Sequence, residues 1–396
     1  MKYVWITLGI VLSMQLVGCV SAQTSIRVAT FNVSMEADNY RASEAPQNQN
    51  DPTLLFKHLA TGDNQQIKNI AQIIQRVRPD IILLNEFDYS SDPSLGPETF
   101  IKNYLNVSQQ GQASIDYPYF YYGPVNTGVA SGVDLNNDGK LENSGGDAFG
   151  YGRYAGQYGM LLLSRYPIHM QDVRTFQTFL WKDMPDNSLS KIKNTDGSAW
   201  YSTEAMEVLR LSSKSHWDIP VDVEGKIVHV LASHPTPPVF DGPENRNGFR
   251  NHDEIQFWND YLSSGEQANY IYDDKGDIGG FSGERFVILG DLNASPDAGD
   301  GQRTMMADLL AHPLVSQLSL PTSLGGKESK PDDPNAQYHT AAWGLGVDYV
   351  ITSKAGFSSR DAGVFWPGEN ESGKELVADR KSSSDHRMVW RELTLR

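Results

Sequence analysis

A carboxylate and a carboxamide follow one short apolar run of the sequence, two positions apart. Residues 286–289 lead through Gly290 to Asp291, and Asn293 comes next but one. An apolar run closed by glycine predicts a buried strand. Because side chains alternate along a strand, Asp291 and Asn293 should emerge on the same side of its carboxyl end. Together they would supply one base or acceptor and one neutral donor; the alternative is a strand end closed by turn-forming residues.

The same design recurs in the first part of the chain. Asn32 lies near the end of the first predicted strand, and Glu86 closes the apolar run 81–84. Between them, apolar residues at helical spacing predict a helix over 67–77, which Asp63 can cap. This strand, helix, strand order places both polar residues at the carboxyl ends of neighbouring strands, where open α/β sheets bind ligands.

Four more polar residues lie beside predicted strands. His234 follows the strand 227–232, Asp348 is near the start of a later strand, and Asp385 and His386 precede the last one. Oxygen ligands from Asn, Asp and Glu suit Mg²⁺, Mn²⁺ or Ca²⁺, and histidines can hold a phosphoryl oxygen or serve as acid and base. The whole set predicts a metal-assisted hydrolase.

Several other classes are disfavoured by composition. Cys19 is the single cysteine, so no intrachain disulfide forms, and no paired Cys/His spacing supports a structural zinc. No Gly-rich phosphate loop and no Gly-x-Ser-x-Gly elbow is present, which argues against an NTPase or a serine hydrolase. The formal net charge of −16 repels nucleic acid at long range, so a polyanion would need basic patches or bridging cations.

Residues 1–22 have the basic start, short apolar core and small residues of an export signal. The apolar core is too short to span a bilayer comfortably. Residues 16–19 resemble the bacterial lipobox, in which Cys19 would be lipidated; the alternative is cleavage after Ala22, which would release the protein. We favour lipidation and expect a periplasmic or cell-surface lipoprotein, or a secreted protein. Residues 23–396 are expected to form one catalytic domain with large loop insertions.

One loop is similar to the first half of a calcium-binding loop. Asp134, Asn136 and Asp138 provide oxygens at positions 1, 3 and 5, and a glycine follows. Position 12 is Gly145 rather than Glu, although Asp147 is close by. An ordinary Asn/Asp/Gly turn is the alternative.

Basic and imidazole side chains elsewhere are candidates for substrate contact. Lys214 and His216 lie in a segment dense in polar and aromatic groups. Arg246 and Arg250 precede a predicted helix, whose start could hold a phosphate, although solvated arginines are the default.

The order of elements indicates the fold class. After the first strand, helix and strand, the chain continues mainly with strands, one of them expected at 207–211, and a few helices. No internal repeat or linker interrupts it. This order favours an α/β sandwich of mixed sheets over a purely parallel sheet.

The polar strand ends also match a known family in combination. The matching elements are Thr30-Phe31-Asn32, Asn85-Glu86, Ser233-His234, Gly290-Asp291-Leu292-Asn293, Val347-Asp348-Tyr349 and Ser384-Asp385-His386. From about residue 26 to 395, the chain resembles the endonuclease/exonuclease/phosphatase superfamily, which includes deoxyribonuclease I, abasic-site endonucleases, sphingomyelinases and inositol phosphatases. The resemblance implies a deoxyribonuclease I-like, four-layer α/β-β/α sandwich of two mixed sheets, and phosphoester hydrolysis with a divalent metal.

The resemblance also implies a role for each matched residue. Glu86 would be the main metal ligand, with Asn32 and Asp385 assisting. Asp291 would orient or deprotonate the attacking water, and Asn293 would stabilise the transition state.

The histidines complete this implied site. His386, held by Asp348, would bind the scissile phosphate, and His234 would act as general acid or phosphate ligand. A second metal position would use Asp291, Asn293 and His386.

The leading hypothesis is therefore an exported, metal-dependent phosphoesterase (Mg, Mn or Ca) acting on mono- or diesters of small organic phosphates or nucleotides. An extracellular endonuclease is the alternative, with nucleic acid as its partner. A lipid phosphodiesterase is third, and the aromatic run 117–122 could supply its membrane contact unless it forms a packed strand. Apart from this third hypothesis, we expect the protein to contact a membrane only through its lipid anchor. Every matched position carries a chemically competent residue, which disfavours a non-enzymatic binding module; the sequence does not indicate the oligomeric state.

Overall fold

The computed structural model describes residues 1, 23–42, 50–263 and 265–396. Residues 2–22 of the expected export signal, with the candidate lipidation site Cys19, lie outside the described residues. Within these described ranges, no helix combines the length and apolar character needed to cross a membrane.

The strands of the described residues form two mixed sheets. They are β1 (Ser25–Met35), β2 (Ile81–Phe87), β3 (Tyr119–Tyr121), β4 (Met160–Ser164), β5 (Arg174–Thr175), β6 (His216–Val223), β7 (Lys226–Ser233), β8 (Phe286–Asp291), β9 (Asp348–Thr352), β10 (Phe357–Val364) and β11 (Val389–Leu395). The first sheet has the order β10-β11-β1-β2-β4-β3 and the second the order β5-β6-β7-β8-β9. The pairs β1–β2 and β7–β8 are parallel, and the other neighbouring pairs are antiparallel.

Helices cover the outer face of each sheet. The α-helices of the described residues are α1 (Leu54–Thr61), α2 (Gln65–Val77), α3 (Pro97–Phe100), α4 (Thr203–Val208), α5 (Arg246–Leu262), α6 (Arg303–Ala311) and α7 (Leu324–Ser329). Apolar residues of α1 and α2 pack on the first sheet, and those of α5 and α6 pack on the second.

The alternation of side chains along the strands creates the layers. On β1, Val28 joins the apolar core between the two sheets, whereas Ala29 and Phe31 belong to the cluster under α1 and α2. On β8, Val287 faces the first sheet, and Ile288 belongs to the cluster under α5 and α6. The predicted four-layer α/β-β/α sandwich of two mixed sheets is thereby confirmed.

The start of α2 differs by one residue from the prediction. Asn64, not Asp63, is the N-cap, and its side-chain oxygen accepts a hydrogen bond of 3.2 Å from the Ile67 amide. Such a cap contributes about 1 kcal/mol to stability. The Asp63 carboxylate instead forms an exposed ion pair with Lys68.

The predicted strand at 207–211 is wrong. Residues Thr203–Val208 form α4, because the Ser202 hydroxyl caps the helix by accepting a hydrogen bond of 3.0 Å from the Ala205 amide. Beyond the helix the chain is extended, but it makes only an isolated bridge between Arg210 and Leu180 in this part of the described structure.

The aromatic run 117–122 contributes a short edge strand rather than a protruding hairpin. Residues Tyr119–Tyr121 pair with β4, Tyr117 is buried, and the Tyr121 ring packs edge-on against Trp217 between the sheets. Among the aromatic residues of this run, Tyr119 alone is exposed.

Candidate active site

Asn85 joins the two sheets at the end that carries the polar residues. Its Oδ1 accepts a hydrogen bond of 3.1 Å from the Asp291 amide, and its Nδ2 lies 3.4 Å from the Ser233 carbonyl, to which it donates. Asn85 on β2 is also paired in register with Asn32 on β1. One buried amide therefore holds the ends of β7 and β8 against the first sheet. The sequence signal was an asparagine at the end of an otherwise apolar strand.

Asn32 connects carboxylates from both sheets. Its Nδ2 donates to Glu86 Oε1 and to Asp291 Oδ2, each at 3.1 Å, while its Oδ1 accepts from the Ser34 amide at 3.2 Å. Glu86 has a φ of 57°, a left-handed conformation that is uncommon for glutamate and is concentrated at functional sites. The strand ends therefore converge as the sequence predicted.

A guanidinium lies between Glu86 and Asp385. Arg380 Nη2 is 3.6 Å from Glu86 Oε2, and Arg380 Nε is 3.8 Å from Asp385 Oδ1. Burial opposes the charged form of Arg380, but these two carboxylates raise its pKa. Sequence reasoning missed Arg380, because a basic residue in a polar loop five positions before Asp385 has no distinguishing pattern. The two carboxylates thus create a place that favours positive charge.

The same donors fit a divalent cation. Glu86 and Asp385 both line the cleft described below, and Asn32 is hydrogen-bonded to Glu86. The three residues together offer carboxylate and amide oxygens as ligands. The Ser34 hydroxyl holds Asp385 by donating to its Oδ1 at 3.2 Å. Carboxylate and amide oxygens are the ligands that Mg²⁺, Mn²⁺ and Ca²⁺ prefer.

His386, Asp348 and Asp291 form a second, buried cluster. Their potential ligand atoms lie within 4.8 Å of one another. His386 Nδ1 donates to Asp348 Oδ2 at 3.0 Å, and the Thr340 hydroxyl donates to the same oxygen at 2.6 Å. This pairing directs His386 Nε2 towards Asp291 Oδ2, which is 3.6 Å away. Burial alone would lower the pKa of His386, but the charges of Asp348 and Asp291 raise it above its usual value.

His234 has the opposite electrostatic character. Its Nε2 is 3.5 Å from Asp291 Oδ2, and its Nδ1 has no hydrogen-bond partner among the described residues. Burial and the nearby Lys214 charge lower the pKa of His234. Burial disfavours ionisation of Asp291, but the charge of His386 and the hydrogen bond of His234 hold its pKa below the ordinary value. An ionised Asp291 therefore lies between a cationic and a neutral imidazole.

Asn293 is fixed by its neighbours. Its φ is 51°, again left-handed, and its backbone amide donates to Asp291 Oδ1 at 2.9 Å. Its Nδ2 donates to the Pro235 carbonyl at 3.1 Å. Asn293 lines the same cleft as Asp291 and His386, and the second metal position at these three residues stays a prediction.

Gly290 allows β8 to approach β7 immediately before Asp291. A Cβ atom at this position would lie 2.1 Å from the Ser233 carbonyl oxygen, and the φ of 155° disfavours a side chain. We expect Gly290→Ala to lower the free energy of unfolding by about 1–3 kcal/mol or more and to displace His234. Denaturant unfolding and activity assays would measure both effects. Gly279→Ala is the control, since Gly279 has a φ of 107° but open space around it; an equal loss in both variants would contradict the close contact.

A cleft of about 950 Å³ opens from the site. At its inner end it is lined by these residues: Glu86, Lys214, His234, Asp291, Asn293, Arg380, Asp385 and His386. Its remaining walls come from several loops that are far apart in the sequence, among them residues 236–240, 294–301 and 343–347. Lys214 is only 5% exposed, and within the described ranges its ammonium makes no hydrogen bond or ion pair. Burial lowers its pKa, and its amine faces the cleft without a partner among the described residues.

The other three predicted substrate contacts, Arg246, Arg250 and His216, already bind groups of the protein. Arg246 and Arg250 line the cleft but lie inside α5 rather than before it. Arg246 pairs with Glu244, and Arg250 donates to three backbone carbonyls. His216 does not line the cleft; its Nδ1 is 3.1 Å from a serine hydroxyl and its Nε2 donates to the Glu254 carbonyl at 2.9 Å.

The calcium-loop residues lie apart from both carboxylate clusters. The two carboxylate oxygens of Asp134 accept from backbone amides of the loop at 2.7 and 2.9 Å. Asn136 and Asp138 accept from loop amides in the same way, and Asp147 is buried as an acceptor for three more. These oxygens therefore organise a turn, and a bound calcium here stays a prediction.

Comparison with known proteins gives a family match over most of the chain. The model of the Endonuclease/Exonuclease/phosphatase family matches residues 29–386. Among solved structures, the chain is similar to an endonuclease/exonuclease/phosphatase from Beutenbergia cavernae DSM 12333, with 19% identity, 94% of this chain and 72% of that chain covered, and a TM-score of 0.48. It is also similar to sphingomyelinase C from Streptomyces griseocarneus, at 15% identity, 93% and 99% coverage and a TM-score of 0.42. The human nocturnin catalytic domain is similar at 14% identity, with 94% of this chain and 94% of that chain covered and a TM-score of 0.43. A comparison with curated proteins found no match.

Proposed function

Because the chain belongs to the endonuclease/exonuclease/phosphatase family, we propose that it is an exported, metal-dependent phosphoesterase that hydrolyses mono- or diesters of small organic phosphates or nucleotides. Members of this family hydrolyse phosphoesters with divalent metals. The observation that carries the proposal is the position of Asp291 Oδ2, which lies 3.5 Å from His234 Nε2 and 3.6 Å from His386 Nε2 and is joined through Asn32 to Glu86.

Asp291 is the residue that positions the attacking water. Its lowered pKa keeps the carboxylate ionised at neutral pH, so Asp291 can accept a hydrogen bond from a water but is only a weak base. Asn32 and the Asn293 amide hold both of its carboxylate oxygens in place. A water that donates to Asp291 would be held in line with the phosphorus, which reduces the entropic part of the barrier.

Cationic side chains bind the phosphoryl group opposite this water. His386 is oriented by Asp348 and presents Nε2 towards Asp291, and Lys214 faces the same cleft without a protein partner. His386 is buried, so its positive charge acts with little screening on the negative charge that develops on phosphoryl oxygens. A phosphoryl group bound beside Lys214 would raise the pKa of the amine and favour its charged form. The neutral His234 adds a hydrogen-bonding imidazole on the other side of Asp291.

Glu86 and Asp385 would hold the divalent cation, with Asn32 assisting. When bound, the cation would neutralise charge on the phosphoryl oxygens. Arg380 lies against the same two carboxylates, which supports a site built for positive charge.

The charges of the cleft favour small esters over a nucleic acid. A polyanion needs several unpaired cations along its path, but Arg246 and Arg250 are engaged with protein groups. The formal net charge of −16 adds long-range repulsion. Export rests on the signal-like residues 1–22 alone.

A substrate panel tests the proposed function. The purified mature protein is assayed with Mg²⁺, Mn²⁺ and Ca²⁺ in turn on p-nitrophenyl phosphate, bis-p-nitrophenyl phosphate, a lipid phosphodiester and plasmid DNA. We expect turnover of the small esters with intact plasmid. Plasmid nicking that outruns the small esters would make the protein a nuclease, and preference for the lipid would make it a lipid phosphodiesterase. The Asp291→Asn variant, prepared in parallel, controls for contaminating phosphatases.

A further inference from the structure

We propose that Tyr151, Phe240 and Trp343 form an aromatic subsite that binds an uncharged, planar ring carried by the phosphoester. The inference rests on the proposed function, because it takes the phosphate to lie at the charged end of the same cleft. It narrows the substrate class to small phosphoesters with an aromatic or nucleobase-like group.

Exposed aromatic side chains are concentrated at this cleft. In the described part of the chain, four aromatic residues are strongly exposed: Tyr119, Tyr151, Phe240 and Trp343. Three of these four line the cleft, and only Tyr119 does not. Single exposed apolar residues need no explanation, but their grouping around a concave site marks a binding surface.

Phe240 is held in an unfavourable conformation with its ring in solvent. Its φ is 67°, a left-handed value that is costly for a bulky residue, and the residue is 87% exposed. Asn247 fixes the surrounding loop, because its Nδ2 donates to the Val239 carbonyl and its amide donates to Asp241 Oδ2, both at 2.7 Å. Strain of this kind persists at ligand-binding positions, where the ring gains its contacts only from a ligand.

Trp343 connects the subsite to the phosphate-binding end. Its ring centroid is 4.9 Å from that of His386, and the two planes meet at 83°. The indole is 47% exposed, so part of its surface remains open to the cleft beside the imidazole. A ring attached to a phosphate at His386 would therefore reach this surface.

The chemistry of the walls selects a neutral ring over a second phosphate or an acyl chain. Arg246 and Arg250 are cations of the cleft wall, and both are engaged with protein groups. The flat faces of Tyr, Phe and Trp stack on planar rings. Tyr151 and Asn247 also bring polar groups to the lining, which suit a heteroatom-bearing ring better than a hydrocarbon chain.

Equilibrium binding of uncleavable phosphonates tests the subsite. Isothermal titration calorimetry on the full mature protein with Mg²⁺ compares methylphosphonate, hexylphosphonate and benzylphosphonate. We expect benzylphosphonate to bind about tenfold more tightly than methylphosphonate, and more tightly than hexylphosphonate. Equal affinity for the benzyl and methyl compounds, in protein that hydrolyses small phosphoesters, would overturn the subsite alone. Tighter binding of hexylphosphonate would mean that the subsite accepts an alkyl chain rather than a ring. A protein that neither binds these phosphonates nor hydrolyses phosphoesters would overturn both the proposed function and the subsite.

Two variants separate ring binding from structural effects. Phe240→Asn removes the ring and suits the left-handed backbone, so its melting temperature should be unchanged or raised, and Tyr151→Ser removes the second ring. The double variant should lose most of the benzyl preference while keeping its affinity for methylphosphonate. Tyr119→Ser, at the exposed aromatic residue outside the cleft, should keep the full preference. An unchanged preference in the double variant would refute the assignment.

Discussion

Asp291→Asn is expected to lower kcat/KM for small phosphoesters by about 10³-fold or more, with the fold intact. The substitution preserves the shape of the side chain, and its one remaining oxygen keeps the hydrogen bond from either the Asn293 amide or Asn32 Nδ2, which now donate to different oxygens. It removes the negative charge that makes Asp291 an acceptor for the attacking water and that helps to raise the pKa of His386. Steady-state kinetics measure the loss, and circular dichroism verifies folding.

Asp300→Asn is the matched control for this prediction. Asp300 is exposed and lines the same cleft, but it makes no contact with the histidines or with Asn32 among the described interactions. Asp300→Asn removes the same charge from the cleft but leaves the contacts of Asp291 in place. The kcat/KM of this variant should therefore stay close to that of the unmodified protein. A loss of less than about tenfold in folded Asp291→Asn would mean that another residue positions the water.

Glu86→Gln is expected to weaken divalent-metal binding by about 100-fold, because one anionic ligand is lost from a site that has two carboxylates. The amide keeps an oxygen for the hydrogen bond from Asn32 Nδ2. Calorimetric titration with Mn²⁺ measures the affinity directly, without reference to a substrate. The metal concentration that gives half-maximal activity should rise by the same factor.

Glu375→Gln tests whether the effect belongs to the site. Glu375 is exposed and does not line the cleft, and its substitution changes the net charge equally. It should leave the Mn²⁺ affinity unchanged. Equal affinities in the Glu86→Gln and unmodified proteins would remove Glu86 from the metal site.

The layers and the location of the site were predictable because they depend on local patterns. Asn32 and Glu86 lie near the carboxyl ends of strands that are parallel and adjacent, so their proximity follows from strand pairing. The same reasoning places Asp291 at the end of β8. Cap chemistry was less certain, since Asp63 and Asn64 are both good caps and only the backbone conformation selects between them.

Features that depend on contacts between distant segments were not predictable. His216 was proposed as a substrate contact from its polar surroundings, but it forms part of β6 and bonds to α5. Arg380 reaches Glu86 across almost 300 positions of sequence, and no local pattern indicates this contact. Tyr151, Phe240 and Trp343 come from irregular loops, whose placement depends on individual hydrogen bonds rather than on a repeating pattern.

The most direct test of the central claim is the rate of bis-p-nitrophenyl phosphate hydrolysis before and after exhaustive chelation, and again after Mg²⁺ is returned. The proposed site predicts turnover by the untreated protein, no turnover above background after EDTA, and recovery with Mg²⁺. Turnover that survives chelation unchanged would contradict metal-dependent phosphoester hydrolysis at Glu86 and Asp385, as would a folded, Mg²⁺-supplied protein that hydrolyses no phosphoester.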